Sequence, residues 1–393
     1  MLLDKESLAL LRPALETLEQ GFKDLPGLKA PASADIERMG VVLQEVAERM
    51  KDNFPYPHPF YAGQMLKPPH AMARLAYMLS MWINPNNHAL DGGRASSAME
   101  VEAVAAIASM FGWQAHLGHL TGGGTMANLE ALWVASKIMP DGVILASEHA
   151  HYTHHRLCEV LKIPFRPVPA DSNGRMDMSA LKGILQETKV AAVVATMGST
   201  AIGSVDPLAE MLELQKQHKF RIHADAAYGG YFVLAENLSR RARTNFDLLS
   251  EVDSIVVDPH KHGLQPYGCG CIIFKDRSVG HFYKHDSPYT YFSSNELHLG
   301  EISLECSRPG SSAVALWATQ RLLPLTRDGE FAADLAKCRS AALRFHELLS
   351  KDPRFVVPLE PELDIVVYAV KGASASQSSQ LAREIFDRAA ENG

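Results

Sequence analysis

Apolar residues recur at helical spacing over the first fifty positions: Leu8, Leu11, Leu15 and Leu18, then Val41, Leu43, Val46 and Met50. That period predicts two helices. The stretch that follows, "NFPYPHPFYAGQMLKPPH", is rich in proline and aromatic residues and reads as an extended, ordered connection. From about residue 70 to 315 the pattern alternates. Helical windows such as 98–111 and 126–139 are followed by the short β-rich runs "GVILAS", "VAAVVATM", "FRIHADAA", "SIVVDP" and "CGCIIFK". Alternation of this kind predicts a mostly parallel sheet with helices on both faces. Helical spacing resumes from Ala313 to about Leu325 and from about 330 to 350. Two strand-like runs, "RFVVPL" and "LDIVVYAV", and a last helix at about 376–391 then begin a smaller α+β domain, for which one further strand is expected after Gly393. The division this suggests is 1–70 for an N-terminal helical segment and arm, 71–312 for a large domain and 313–393 for a small one that ends early.

Composition narrows the class. The 393 residues are 47% hydrophobic and 21% charged, as in ordinary globular proteins, with enough chain for a sizeable core. A net charge of −7 without a block of Lys and Arg argues against a nucleic acid or an anionic membrane as partner. The N-terminus carries acids early and is amphipathic, unlike a secretory or transit peptide, and no apolar run reaches the ~18 residues of a membrane span. Five scattered cysteines, odd in number, read as reduced thiols of a cytoplasmic protein, with the Cys269 and Cys271 pair as small core residues.

Four stretches in the alternating region carry candidate chemistry. In "HLTGGGTMANLEALWVAS" (119–136) three glycines precede Thr125 and a helix. Glycines allow close backbone approach and a helix N-terminus offers free N–H groups, so the turn is either a phosphate cradle or a plain connection. It lacks the signatures of a nucleotide P-loop or a dinucleotide fingerprint. In "SEHAHYTHHR" (147–156), His149, His151, His154 and His155 have only Glu148 and Cys158 as nearby co-ligands. No metal is therefore expected, and one of these histidines at the strand end is suited to lie flat on a planar ligand. In "FRIHADAAYGGYF" (220–232), Asp225 ends a strand, where ligands of open α/β sheets bind. It either accepts a proton from a ring nitrogen or caps a helix. In "DSIVVDPHKHGLQPYGCGC" (253–271), Lys261 lies just past a strand between two histidines. A partly desolvated amine near other cations has a lowered pKa and attacks carbonyls; the alternative is an ordinary surface lysine. A phosphate cradle, a flat cover, an acid for a ring nitrogen and an imine-forming lysine together answer the needs of one cofactor, pyridoxal 5′-phosphate.

On "HADAAYGG" with "DPHKHG", supported by "TGGGTMANLEAL", "ATMGSTAIGSVDP" and "SRPG", the chain resembles the group II pyridoxal-phosphate-dependent amino-acid decarboxylases of fold type I, from about residue 55 to 320. The resemblance implies an α/β fold with a mostly parallel central sheet, an N-terminal helical segment and a small C-terminal α+β domain. It implies that Lys261 holds the cofactor as an imine, that Asp225 pairs with the pyridinium nitrogen, and that His151 and Ala227 cover the two ring faces. Gly123, Gly124, Thr125 and His260 would bind the phosphate, and Thr200 would lie near the ring oxygen. Either Tyr289 or Tyr291 would return a proton to the α-carbon of an amino-acid substrate after carbon dioxide leaves. Arg308 would bind a substrate carboxylate or brace a second subunit, because sites of this kind form in homodimers, or else make a structural salt bridge. Phe60 and His88, with His58 and Asn86, fall where the family lines the substrate entrance. Asp258 stands where many members have Asn, and the C-terminal domain is short for the family. Two other readings are compatible: a carbon–carbon lyase of the sphingosine-phosphate type, and a non-catalytic protein on the same fold.

Overall fold

The computed structural model describes residues 5–27, 32–61, 67–88, 90–284 and 302–392, with the side chains of 90, 91 and 392 left aside. A seven-stranded sheet forms its centre: β1 (Leu117–Thr121), β2 (Val143–Ser147), β3 (Phe165–Val168), β4 (Val190–Thr196), β5 (Arg221–Asp225), β6 (Ser254–Val257) and β7 (Gly270–Phe274). The spatial order is β1-β7-β6-β5-β4-β2-β3, and β2 to β6 run parallel while β7 runs antiparallel to both its neighbours. Every residue of β4, β6 and β7 is buried. Strands covered on both faces read as continuous apolar runs, which is why "VAAVVAT", "SIVV" and "GCIIF" were visible in the sequence.

The parallel strands end together. Thr196 of β4 is paired with Asp225 of β5, and Asp225 with Val256 of β6. Asp258 and Lys261 follow β6 on this same edge, so the strand ends gather the chemistry that the sequence scatters over some 140 positions. On the far side β1 pairs Thr121 with Gly270, and there the chain turns sharply. A Cβ on Gly270 would stand 2.5 Å from the carbonyl carbon of Gly123, so only glycine fits where β7 passes the glycine-rich turn.

Two parts of the chain differ from the sequence reading. The first fifty residues form three helices, Lys5–Ala9, Leu11–Gln20 and Ser33–Met50, and the last keeps its apolar residues exposed, Val41 at 72% and Leu43 at 70%. "RFVVPL" and "LDIVVYAV" yield only the short pair Phe355–Val356 and Ala369–Val370. The intervening Leu363 is instead fully buried, its Cδ1 2.8 Å from a Cβ position on Gly198 and 2.9 Å from one on Gly229, so the segment straps the floor of the large sheet. Cys269 and Cys271 lie in the core, and burial raises both thiol pKa values. Among the described residues no helix is long and apolar enough to cross a membrane, and no three His, Cys, Asp or Glu side chains gather to hold a metal.

Candidate active site

A cavity of about 540 Å³ opens at the carboxyl ends of the parallel strands. Gly123, Gly124, Thr125, His151, Thr200, Asp225, Ala227, His260 and Lys261 all line it. The sequence named these nine from five separate stretches, and the fold brings them to one place.

Asp225 sits on the cavity floor, 6% exposed. Its Oδ1 accepts from the Ala227 N–H at 3.2 Å, and its Oδ2 pairs with His154 Nε2 at 2.8 Å and lies 3.5 Å from Asn128 Nδ2. Burial alone would raise the carboxyl pKa. The hydrogen bond and charge of His154, with Lys261 and His223 adding to them, outweigh burial and hold Asp225 well below the usual carboxylate range. A second layer fixes Asn128: His223 Nε2 meets Asn128 Oδ1 at 2.7 Å and its Nδ1 meets Ser254 Oγ at 2.9 Å. Burial lowers the His223 pKa to about 3, so this imidazole is neutral at pH 7. Its Nε2–H then donates to Asn128, and Nδ1 accepts from Ser254. From the sequence, His154 stands with its neighbours as a metal ligand or a flat cover, not as the partner of Asp225. Its role lies on the helix Thr153–Leu161, 71 positions from Asp225, and no local pattern announces such a contact.

Lys261 Nζ lies 3.0 Å from Asp258 Oδ2, with the lysine side chain 18% exposed and that of Asp258 3% exposed. The sequence led us to expect neighbouring cations around this amine. The structure places a carboxylate there instead, and His260 Nε2 lies 3.7 Å from the same Asp258 oxygen. His260 Nδ1 lies 2.8 Å from the Cys269 carbonyl oxygen, and His262 bridges the Tyr228 carbonyl and Asp364 Oδ2 at 3.0 and 3.1 Å. Asp258 Oδ1 has no hydrogen-bond partner among the described residues. Its carboxylate also explains Gly124: a Cβ there would lie 2.6 Å from Asp258 Oδ2. The helix Gly124–Ile138 thus starts with its first amides bare toward the cavity and no side chain capping them.

His151 Nδ1 accepts from the Thr153 hydroxyl at 2.8 Å. Burial, against the pull of Asp225, lowers the His151 pKa, leaving a neutral half-buried ring on the cavity wall. The substrate-side candidates fare differently. Arg308 is 6% exposed and spent on the fold: Nη1 bonds Glu100 Oε1 at 2.7 Å and the Leu120 carbonyl at 2.8 Å. It lies outside the cavity lining, so the expectation that it receives a substrate carboxylate is corrected: the guanidinium is committed to a buried pair. Phe60 is 88% exposed and also absent from the lining. His88 lies 3.6 Å from Cys306 Sγ, next in sequence to the cavity residue Glu305. Tyr289 and Tyr291 lie outside the described residues.

These residues fit pyridoxal 5′-phosphate. A glycine turn cleared of Cβ atoms faces a helix N-terminus, a permanently charged acid and a lysine amine share one cavity, and a flat neutral imidazole forms its wall. Comparison with known proteins agrees. The family model of the pyridoxal-dependent decarboxylase conserved domain matches residues 126–371. The L-tyrosine decarboxylase of Enterococcus faecium is 28% identical over 86% of this chain and 71% of its own length. The probable L-tyrosine/L-aspartate decarboxylase of Methanoculleus marisnigri is 31% identical over 75% of this chain and 78% of its own. Among solved structures, mouse CSAD superposes with a TM-score of 0.80 at 20% identity, covering 96% of this chain and 83% of that one. Oryza sativa TDC, crystallised with PLP and tryptamine, superposes with a TM-score of 0.79 at 18% identity, covering 99% and 90%.

Proposed function

The chain belongs to the pyridoxal-dependent decarboxylase family and is a pyridoxal-phosphate-dependent amino-acid decarboxylase; from that premise we propose that it removes the α-carboxylate of L-tyrosine or L-aspartate, and that the nine cavity residues carry the reaction. The substrate choice rests on the names of the relatives, one given for L-tyrosine alone and others for L-tyrosine and L-aspartate together. When bound, the cofactor supplies an aldehyde for amines and a ring that accepts the electron pair left as carbon dioxide departs.

The chain's own residues do the rest. Lys261 is the attachment point. Asp258 Oδ2, 3.0 Å away, would keep that amine in reach whenever it is released. Asp225 keeps a proton on the ring nitrogen, since His154 prevents it from becoming a neutral acid. His151 and Ala227 enclose the ring, and the amides at Gly123, Gly124 and Thr125 receive the phosphate with His260 beside them. Thr200, on the same cavity wall, would lie near the ring oxygen. Tyr289 or Tyr291 delivers the proton to the α-carbon.

We further propose a cytoplasmic homodimer. Ile36, Met39, Leu43, Val46 and Met50 form a stripe along Ser33–Met50 and are all exposed, the kind of surface a second copy covers. The five cysteines are free, as a reducing compartment would keep them.

The observation that carries the reading is the charged Asp225 facing Lys261 across one cavity. The test is turnover of an amino-acid panel in D2O with product analysis. L-Tyrosine or L-aspartate should give carbon dioxide and the matching amine with one deuterium on the α-carbon. A product that retains the α-carboxylate would mean that a different bond is broken.

A further inference from the structure

The first amide of the glycine-rich turn is already spoken for. Gly122 N donates to Glu305 Oε2 at 2.9 Å, a contact between residues 183 positions apart. Glu305 Oε1 lies 3.0 Å from where a Cβ on Gly122 would stand, so the carboxylate lies close over the turn. Its backbone is pinned by Ser303, whose hydroxyl donates to the Glu305 carbonyl at 3.2 Å and accepts from the Glu305 N–H at 3.1 Å. The side chain is thereby aimed into the cavity that Gly122, Gly123, Gly124, Thr125 and Lys261 line. The other acid at this turn, Asp258, has Lys261 as counter-charge, whereas Glu305 is held by a backbone amide.

We propose that Glu305 sets the affinity for the cofactor's phosphate, by holding the Gly122 amide and presenting a negative charge to any phosphate that enters the cradle. A carboxylate and a phosphate on one short run of amides repel each other, and the amide that serves one is denied to the other. Glu305 is half-buried, so solvent and salt weaken the repulsion without abolishing it. Removing the charge should tighten phosphate binding about tenfold, equivalent to about 1.4 kcal/mol. The effect belongs to the phosphate alone: pyridoxal without its phosphate should not sense Glu305. The residue would thus act as a brake on cofactor retention, leaving the protein able to exchange phosphorylated ligands.

The test uses wild type, Glu305→Gln and Glu305→Ala freed of cofactor. Each is titrated with pyridoxal 5′-phosphate and with pyridoxal by change in absorbance, and inorganic phosphate is followed by its protection against thermal unfolding. Both variants should bind pyridoxal 5′-phosphate about tenfold tighter and be protected at lower phosphate concentration, with pyridoxal affinity unchanged. Equal or weaker binding of pyridoxal 5′-phosphate by both variants overturns the proposal. So does an equal gain for pyridoxal, which would mean that Glu305 acts on the cavity at large.

Discussion

His154→Phe keeps a ring of similar size in a buried site but removes both the hydrogen bond and the charge that Asp225 depends on. Asp225 would stay 6% exposed, with the Ala227 N–H at 3.2 Å and the Asn128 amide at 3.5 Å as its remaining donors. A hydrogen bond to a charged group contributes about 1.5–3 kcal/mol, and removing one partner of a buried pair costs about 3–5 kcal/mol. Because two donors remain, we expect a loss of about 3 kcal/mol at pH 7. The sign follows from the depressed carboxyl pKa. Asp225 contributes stability above the ordinary pKa of 3.8 and loses it as pH falls through the folded value. In the variant that folded value rises, and the contribution at neutral pH shrinks. Urea unfolding of the cofactor-free protein measures the loss, and cofactor titration should show at least tenfold weaker binding, since a less firmly charged Asp225 holds the ring nitrogen's proton less well. His154→Gln, which keeps a donor, should recover part of the stability. A His154→Phe protein within about 0.5 kcal/mol of wild type, with unchanged cofactor affinity, would refute the reasoning.

Gly124→Ala should push Asp258 away from Lys261, costing about 1–3 kcal/mol of stability and more than tenfold in cofactor affinity; titration of the purified variant checks it. His223 is buried neutral with a pKa lowered to about 3 from the ordinary 6.5, so the folded state binds fewer protons and stability should fall as pH drops below about 6.5. His223→Gln should flatten that slope in urea midpoints measured from pH 6.5 to 5. His119, paired with Glu130 at 2.8 Å, behaves oppositely: burial opposes its charge, the Glu130 carboxylate overrides that, and the raised pKa means stability lost as pH rises above 6.5 through the folded value. Glu130→Gln should remove that upper slope. Leu43→Asp with Val46→Asp should shift sedimentation from dimer to monomer while the circular-dichroism spectrum stays the same, because both side chains are exposed in the single chain.

The parts of the fold legible in the sequence were those where local chemistry and tertiary setting agree. β4, β6 and β7 are buried on both faces, so their apolar runs stand out, and the glycines before Thr125 announce a backbone that something must approach. β1 was missed because "LGHLT" buries His119 and Thr121, polar residues acceptable only because Glu130 of the following helix and the Gly123 carbonyl accept their hydrogen bonds. β3 was missed because "FRPV" is a short edge strand carrying Pro167. The opposite error came at "LDIVV", whose apolar alternation suggests a strand. There Asp364 is tied to Tyr228 Oη at 2.6 Å, to His262 and to Lys67, and the segment serves as a strap rather than a ladder. At the site, Asp225 and Lys261 were legible because one ends a strand and the other closely follows one, where sequence position implies place. His154 and Asn128 act on Asp225, and Glu305 on the glycine turn, from 71 to 183 positions away on other elements, and such contacts leave no periodic trace.

The most direct test of the account is carbon dioxide release from L-tyrosine and L-aspartate by cofactor-loaded wild type and Lys261→Ala, with the visible absorbance of each recorded beforehand. The account predicts a visible band and carbon dioxide from at least one of the two substrates with wild type, and neither from the variant. A wild-type protein that shows the band but releases no carbon dioxide from either amino acid, or a Lys261→Ala protein that keeps both, would contradict it.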